Sequence, residues 1–108
     1  MEQPTQTLEP PYYAVIFTSI RTDIEDGYGE TAVKMVQLAA RQPGFLGVES
    51  VREGKLGITI SYWQDETSIR AWKNQMEHLA AQQAGRDKWY EQYTVRVAKV
   101  ERAYKWAE

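Results

Sequence analysis

Apolar and β-forming residues fill residues 12–20 (YYAVIFTSI) on both alternating faces, which predicts a central strand needing cover on each side. Over residues 29–42 the period changes: Ala32, Val33, Met35, Val36, Ala39 and Ala40 recur at helical spacing until Pro43-Gly44 stops the helix. Residues 45–52 and 56–63 alternate again and meet around Glu53-Gly54, the signature of a tight hairpin. In the second of these strands Leu56, Ile58, Ile60 and Tyr62 share one face, and Thr59, Ser61 and Trp63 the other. Asp65 or Thr67 can cap a second helix whose stripe is Ile69, Trp72, Met76 and Leu79 or Ala80, ending near Ala84. Gly85 closes it, residues 86–90 form a turn or short helix, and a long last strand runs from about Glu91 to Trp106. Along that strand the apolar role passes from Tyr93, Val95 and Val97 to Val100, Tyr104 and Trp106. Such a change of phase near Ala98 or Lys99 predicts either a bulge or a passage from one sheet environment to another, with the distal half reaching over a second subunit.

The order β-α-β-β-α-β is the split pattern of a ferredoxin-like α+β fold, in which helices cover one face of the sheet. A first strand apolar on both faces then calls for something on the other face. A second sheet from an identical chain is the simplest cover, giving a symmetric homodimer with two sheets face to face. Residues 1–11, with three prolines and little apolar content, read as a flexible tail, and residues 12–108 as one domain.

Charge and composition narrow the chemistry. A formal net charge of −2 makes nucleic acid a poor partner, since binding it needs a basic field. The longest apolar run near the start, residues 14–17, is far too short for a signal segment or a membrane span. The chain has no cysteine, which excludes disulfides, thiolate metal sites and cysteine nucleophiles and fits a cytoplasmic location. With one histidine there is no His-rich metal site. The acids Asp23, Glu25, Asp26 and Glu30 lack the spacing of a calcium loop, so no metal site is expected.

Residues 63–93 hold three of the four tryptophans, the sole histidine and two of the seven tyrosines. Indole, phenol and imidazole groups ask for polar partners when buried, so this density suggests a dimer interface or a pocket for a flat organic ligand. Trp72 sits mid-stripe, where its ring either fills core or borders a pocket. His78 lies about 120° from it around the helix, on the shoulder of the stripe. A solvated flank histidine and a pocket acid/base are both open readings there. Trp63, Tyr62, Trp89 and Tyr90 share the ambiguity between core, interface and ligand wall. Arg86 can hold a carboxylate or an enolate, or form a surface ion pair with Asp87 or Glu91.

Pro43-Gly44-Phe45-Leu46-Gly47 leading into Glu49-Ser50, the strand ending Tyr62-Trp63, and the helix with Ile69, Trp72 and His78 together resemble the antibiotic biosynthesis monooxygenase (ABM) family. The resemblance spans residues 13–104, and the pattern His78, Ala81-Gln82, Gly85-Arg86, Trp89-Tyr90 and Tyr93 looks like a branch of unassigned function. It implies a dimeric α/β barrel and one of two chemistries. Some members oxidise anthrones or quinols with O₂ and no metal or flavin. Others degrade haem with an Asn on the first strand, a Trp on the second helix and a His farther along it. Trp72 matches the helix Trp, but His78 stands about a turn early, and Phe17-Thr18-Ser19 occupies the place of the Asn.

A protein with so few reactive groups suits a substrate that brings its own reactivity. The expected function is therefore a cofactor-independent monooxygenase acting with O₂ on a small aromatic phenol, quinol or anthrone-like molecule. His78 and Trp72 would be catalytic, with Trp63, Tyr62, Met76, Arg86, Trp89 and Tyr90 binding substrate. The alternatives are a haem-binding or haem-degrading protein, with His78 as the iron ligand, and a non-catalytic dimer that binds a small ligand.

Overall fold

A computed structural model describes residues 8–83 and 86–108; side chains are described outside 78–87. The element order is β1 (Tyr12–Arg21), α1 (Tyr28–Ala40), β2 (Phe45–Glu53), β3 (Leu56–Trp63), α2 (Glu66–Gln83), α3 (Arg86–Trp89) and β4 (Tyr90–Val100). The strands form one antiparallel sheet in the order β2-β3-β1-β4, the ferredoxin-like α+β arrangement that the hydrophobic pattern predicts. Part of the expected tail, residues 1–7, lies outside the described residues.

Local chemistry sets the element ends. Pro43 and Gly44 form the centre of a turn closed by the Phe45 amide donating to the Gln42 carbonyl, and Gly44 has φ +86°. Proline followed by a positive-φ glycine is what a type II turn requires. The hairpin turn is Gly54-Lys55, with Gly54 at φ +60°. At the start of α2 the Asp65 carboxylate accepts from the Ser68 amide at 2.8 Å, the capping expected of it. Gly27 precedes α1 and offers no side chain; Glu25 instead accepts from the Gly29 amide at 3.0 Å.

Side chains from alternate strand positions divide the sheet into two faces. The helices pack on the face that carries Tyr13, Val15, Phe17 and Ser19 of β1. Its core is Ala39, Trp63, Ile69 and Trp72, with Tyr13, Val15, Met35, Leu38, Phe45 and Met76 packed around it. Trp63 is 0% exposed. At about 25 cal/mol per Å² over some 200 Å², burying that ring stabilises the fold by about 5 kcal/mol at most. The opposite face carries Ala14, Ile16, Thr18, Ile58, Ile60 and Tyr62, with no helix on it.

Three local expectations are corrected. The inward stripe of α1 is Thr31, Met35, Leu38 and Ala39, whereas Val33, Val36 and Ala40 face outward. The last strand ends at Val100, and residues 101–108 have no regular structure. Its ladder with β1 is continuous from Tyr12↔Val100 to Ile20↔Gln92, and the irregularity falls at Ile20/Arg21, not near Lys99. The apolar residues change face without any slip of register: Val95 and Val97 point to the helix side, Val100 to the other. Tyr104 and Trp106 lie beyond the strand, 88% and 84% exposed.

Candidate functional site

The helix face of the sheet can be read as rows across the four strands. From one end these are Phe45–Trp63–Tyr13–Lys99, Val48–Ser61–Val15–Val97, Ser50–Thr59–Phe17–Val95 and Arg52–Gly57–Ser19–Tyr93. The helices close the tryptophan end. Trp72 stacks on Trp63 with ring centroids 6.2 Å apart and planes 22° apart, and Phe45 meets Trp63 edge-on at 5.5 Å. The Trp63 indole donates to the Ser61 hydroxyl at 2.8 Å, which explains how so large a polar-edged ring is fully buried. Trp72 is thus core in this fold, and Met76 packs partly buried against the same cluster.

Toward β4 the same face opens. Val95 and Val97 are 46% and 51% exposed, and Tyr93 beside them is exposed as well. Phe17 lies 5.3 Å from the Tyr93 ring and 5.5 Å from Tyr90. Tyr90 in turn meets Tyr93 at 5.7 Å and Tyr28 at 5.8 Å, and Tyr28 meets Trp89 at 5.7 Å. These rings form a continuous aromatic patch contributed by β1, α1, α3 and β4. Burial pushes the Tyr90 phenol well above the usual tyrosine range, its hydrogen bond with Tyr28 adds to this, and Arg21 and Arg52 oppose it. Tyr90 is therefore a hydrogen-bonding hydroxyl at neutral pH, not a phenolate base.

Trp89 is buried with its indole donating to the Asp26 carbonyl at 3.2 Å. Arg21 lies over the Tyr28 ring, its guanidinium carbon 3.3 Å from the centroid, and donates to the carbonyls of Trp89 and Ile24. Arg52 donates to the Lys55 carbonyl at 2.9 Å and to the Tyr28 hydroxyl at 3.4 Å.

The structure thus brings Trp63, Trp72 and Met76 together at one end of the helix face and Trp89 and Tyr90 at the other. Tyr62 joins neither group. It projects from the opposite face, edge-on to Tyr12 at 5.7 Å and donating to Glu49 at 2.6 Å. Burial raises the Tyr62 phenol above its ordinary range, with the Glu49 hydrogen bond and charge adding to it. The side chains of His78 and Arg86 lie outside the described ones. Phe17, Tyr28, Tyr93, Arg21 and Arg52 were not expected at a site. The sequence carries a signal for two of these: alternation puts Phe17 and Arg21 on the same side of β1 as Tyr13 and Val15. Among the described residues no three His, Cys, Asp or Glu side chains cluster as metal ligands, and no helix is long and apolar enough to cross a membrane.

The model of the antibiotic biosynthesis monooxygenase family matches residues 11–84. The chain is 60% identical over 99 residues to YqjZ of Bacillus subtilis, an uncharacterised protein, covering 91% of this chain and 87% of that one. It is 33% identical over 94 residues to a jasmonate monooxygenase of Pyricularia oryzae, covering 82% of this chain but 43% of that enzyme. Among solved structures it resembles SnoaB, a cofactor-independent oxygenase of Streptomyces nogalater, with TM-score 0.66 at 14% identity, covering 92% of this chain and all (100%) of that one. A Nitrosomonas europaea protein of unknown function superposes with TM-score 0.69 at 13% identity, covering 91% of this chain and 97% of that one.

Proposed function

This chain belongs to the antibiotic biosynthesis monooxygenase family, and from that premise we infer that it is a cofactor-independent oxygenase of a small, ionisable ring compound. The observation that carries this reading is the partly open aromatic patch of Phe17, Tyr28, Tyr90 and Tyr93 on the helix face. Ring side chains from three elements, β1, α1 and β4, offer a flat substrate stacking contacts on one side and edge contacts on the other. A jasmonate monooxygenase and a cofactor-independent oxygenase among the similar proteins support the reaction class.

The chemistry needs little from the protein. A phenol or enol loses a proton, and its anion hands one electron to O₂. The resulting radical pair combines into a peroxide anion, which takes the proton back to become a hydroperoxide; its O–O bond and the C–H bond on the same carbon then break with loss of water, leaving a new carbonyl. One oxygen atom stays in the product and the other leaves as water, so one O₂ is consumed per substrate. The protein must orient the ring, favour its anion and exclude bulk water. In this reading His78 takes the substrate proton and Arg86 steadies the anion. Trp72, Trp63 and Met76 back the site, and Trp89 and Tyr90 border it. Tyr62, on the other face, is left out.

The same reading places two chains with their helix-free faces together as a dimeric barrel. Val51 and Leu56 are exposed there beside the isoleucines of β1 and β3, an apolar surface that a second sheet would cover. A stable monomer at micromolar concentration in light scattering would remove this part. The oxygenase itself is tested by oxygen uptake on a panel of anthrones and quinols with chelator present. Expected is enzyme-dependent uptake of one O₂ per substrate, with ¹⁸O in the product; uptake no faster than buffer across the panel overturns it.

A further inference from the structure

Resting on the oxygenase reading, we infer that the corner formed by Arg52 and Tyr28 binds the carboxylate of an acidic substrate whose apolar body lies over Phe17, Tyr93 and Val95. The corner holds two guanidinium groups on one tyrosine. Arg21 covers the Tyr28 ring and Arg52 reaches its hydroxyl. Among the described residues neither arginine lies within ion-pairing distance of a carboxylate. The nearby acids are committed elsewhere: Asp23 to Lys55 at 3.2 Å, Asp26 to Lys88 at 2.8 Å, and Glu25 to the Gly29 amide. The result is local positive charge on a chain whose net charge is −2.

The sheet is built to hold Arg52 in this place. Gly57 faces it across the β2–β3 ladder, and a Cβ there would run into the guanidinium, with the Arg52 Cζ only 2.6 Å away. With no side chain at 57, and only Ser19 next along the row, Arg52 lies back across the sheet toward Tyr28 and the aromatic patch. One edge of its fork holds the Lys55 carbonyl, and Nη2 remains toward the Tyr28 hydroxyl. A planar cation with N–H groups beside a hydroxyl suits a carboxylate. The residue is exposed, so a ligand can reach it from solvent. The row beyond Ser19 supplies Tyr93, and the next row supplies Phe17 and Val95, all apolar or aromatic and open in part. An anionic head and an apolar ring body match this sequence of surfaces; a neutral polyphenol would leave the charge unanswered.

The test is calorimetric titration under nitrogen with 3-phenylpropanoate and 2-naphthylacetate, each against its neutral primary amide. Wild type is expected to bind each acid about tenfold or more tightly than its amide, as a charge-assisted hydrogen bond implies. Arg52→Gln is expected to abolish that preference, lowering affinity for each acid about tenfold and for its amide by less. Tyr28→Phe, which keeps the ring under Arg21, is expected to reduce the preference at least threefold. Equal binding of acid and amide by wild type, no binding of either, or a preference that survives both substitutions overturns the inference. Because no oxygen is present, an acid preference without turnover would fail only the oxygenase reading. Oxygen uptake on neutral substrates without any acid preference would fail only this inference.

Discussion

Trp63 and Trp72 lie stacked, 22° from parallel, with Trp63 wholly sealed from solvent and Trp72 8% exposed. Trp72 therefore supports the sheet on which any ligand rests. Trp72→Phe should cost about 1–3 kcal/mol and Trp72→Ala about 3–5 kcal/mol in urea denaturation. A Trp72→Phe variant that melts like wild type and loses ligand affinity would instead make this ring a pocket wall.

Gly44 and Gly54 provide a matched pair. Both have positive φ, but a Cβ at 44 would collide with the Ser68 side chain, whereas at 54 nothing lies within 4 Å. Gly54→Ala should cost about 1–2 kcal/mol from backbone strain alone. Gly44→Ala should cost more, about 3 kcal/mol or above, once the contact at the start of α2 is added. Denaturation midpoints of the two variants check the order; equal losses would remove the role assigned to Ser68.

On the helix-free face the Tyr62 phenol is held above its ordinary range by burial and by Glu49. A raised acid gives stability that is intact below the unfolded value near pH 10 and declines as pH rises from there toward the folded value. Melting temperature should fall above about pH 10, and Tyr62→Phe should flatten that fall. Tyr90, raised in the same direction, accounts for what remains. An unchanged alkaline slope in Tyr62→Phe would count against the Glu49 contact.

At the acid end the sign reverses. The Ser68 amide, then its side chain, hold the Asp65 carboxyl below its usual range. Its contribution is present above the unfolded value near pH 4 and is lost as pH falls through the folded one. Asp65→Asn, which keeps a capping oxygen, should retain more stability at pH 7 than Asp65→Ala, and both should lessen acid sensitivity. Thermal melts from pH 7 down to pH 3 test this.

Haem is expected to bind weakly or without specificity, since Phe17-Thr18-Ser19 stands where the haem-degrading branch carries Asn, and Phe17 packs on Tyr90 and Tyr93. Haemin titration should give no sharp Soret band, and His78→Ala should change nothing. A one-to-one complex lost in that variant would promote the haem alternative.

The order of elements was legible because periods of two and 3.6 are imposed by burial and survive in any register. Alternation alone separates Tyr62 from Trp63, its neighbour in sequence but not in space, and the sheet keeps them on opposite faces. The last strand ends earlier than its apolar residues suggest, because an apolar role moving between faces looks like a slip when the partner strand is unknown. The Arg52–Tyr28 corner was illegible for a different reason. Its residues come from β1, α1 and β2, and only pairing fixes that Gly57 of β3 stands beside Arg52 and Ser19 beside Gly57.

The irregularity at Ile20/Arg21 selects the company Arg21 keeps. In an unshifted ladder, the pairing Ile20↔Gln92 would be followed by Arg21 opposite Glu91, a cation and an acid across adjacent strands. The shift instead sets Tyr90 opposite Arg21, so a single residue of slack in β4 exchanges a neutralising carboxylate for a phenol.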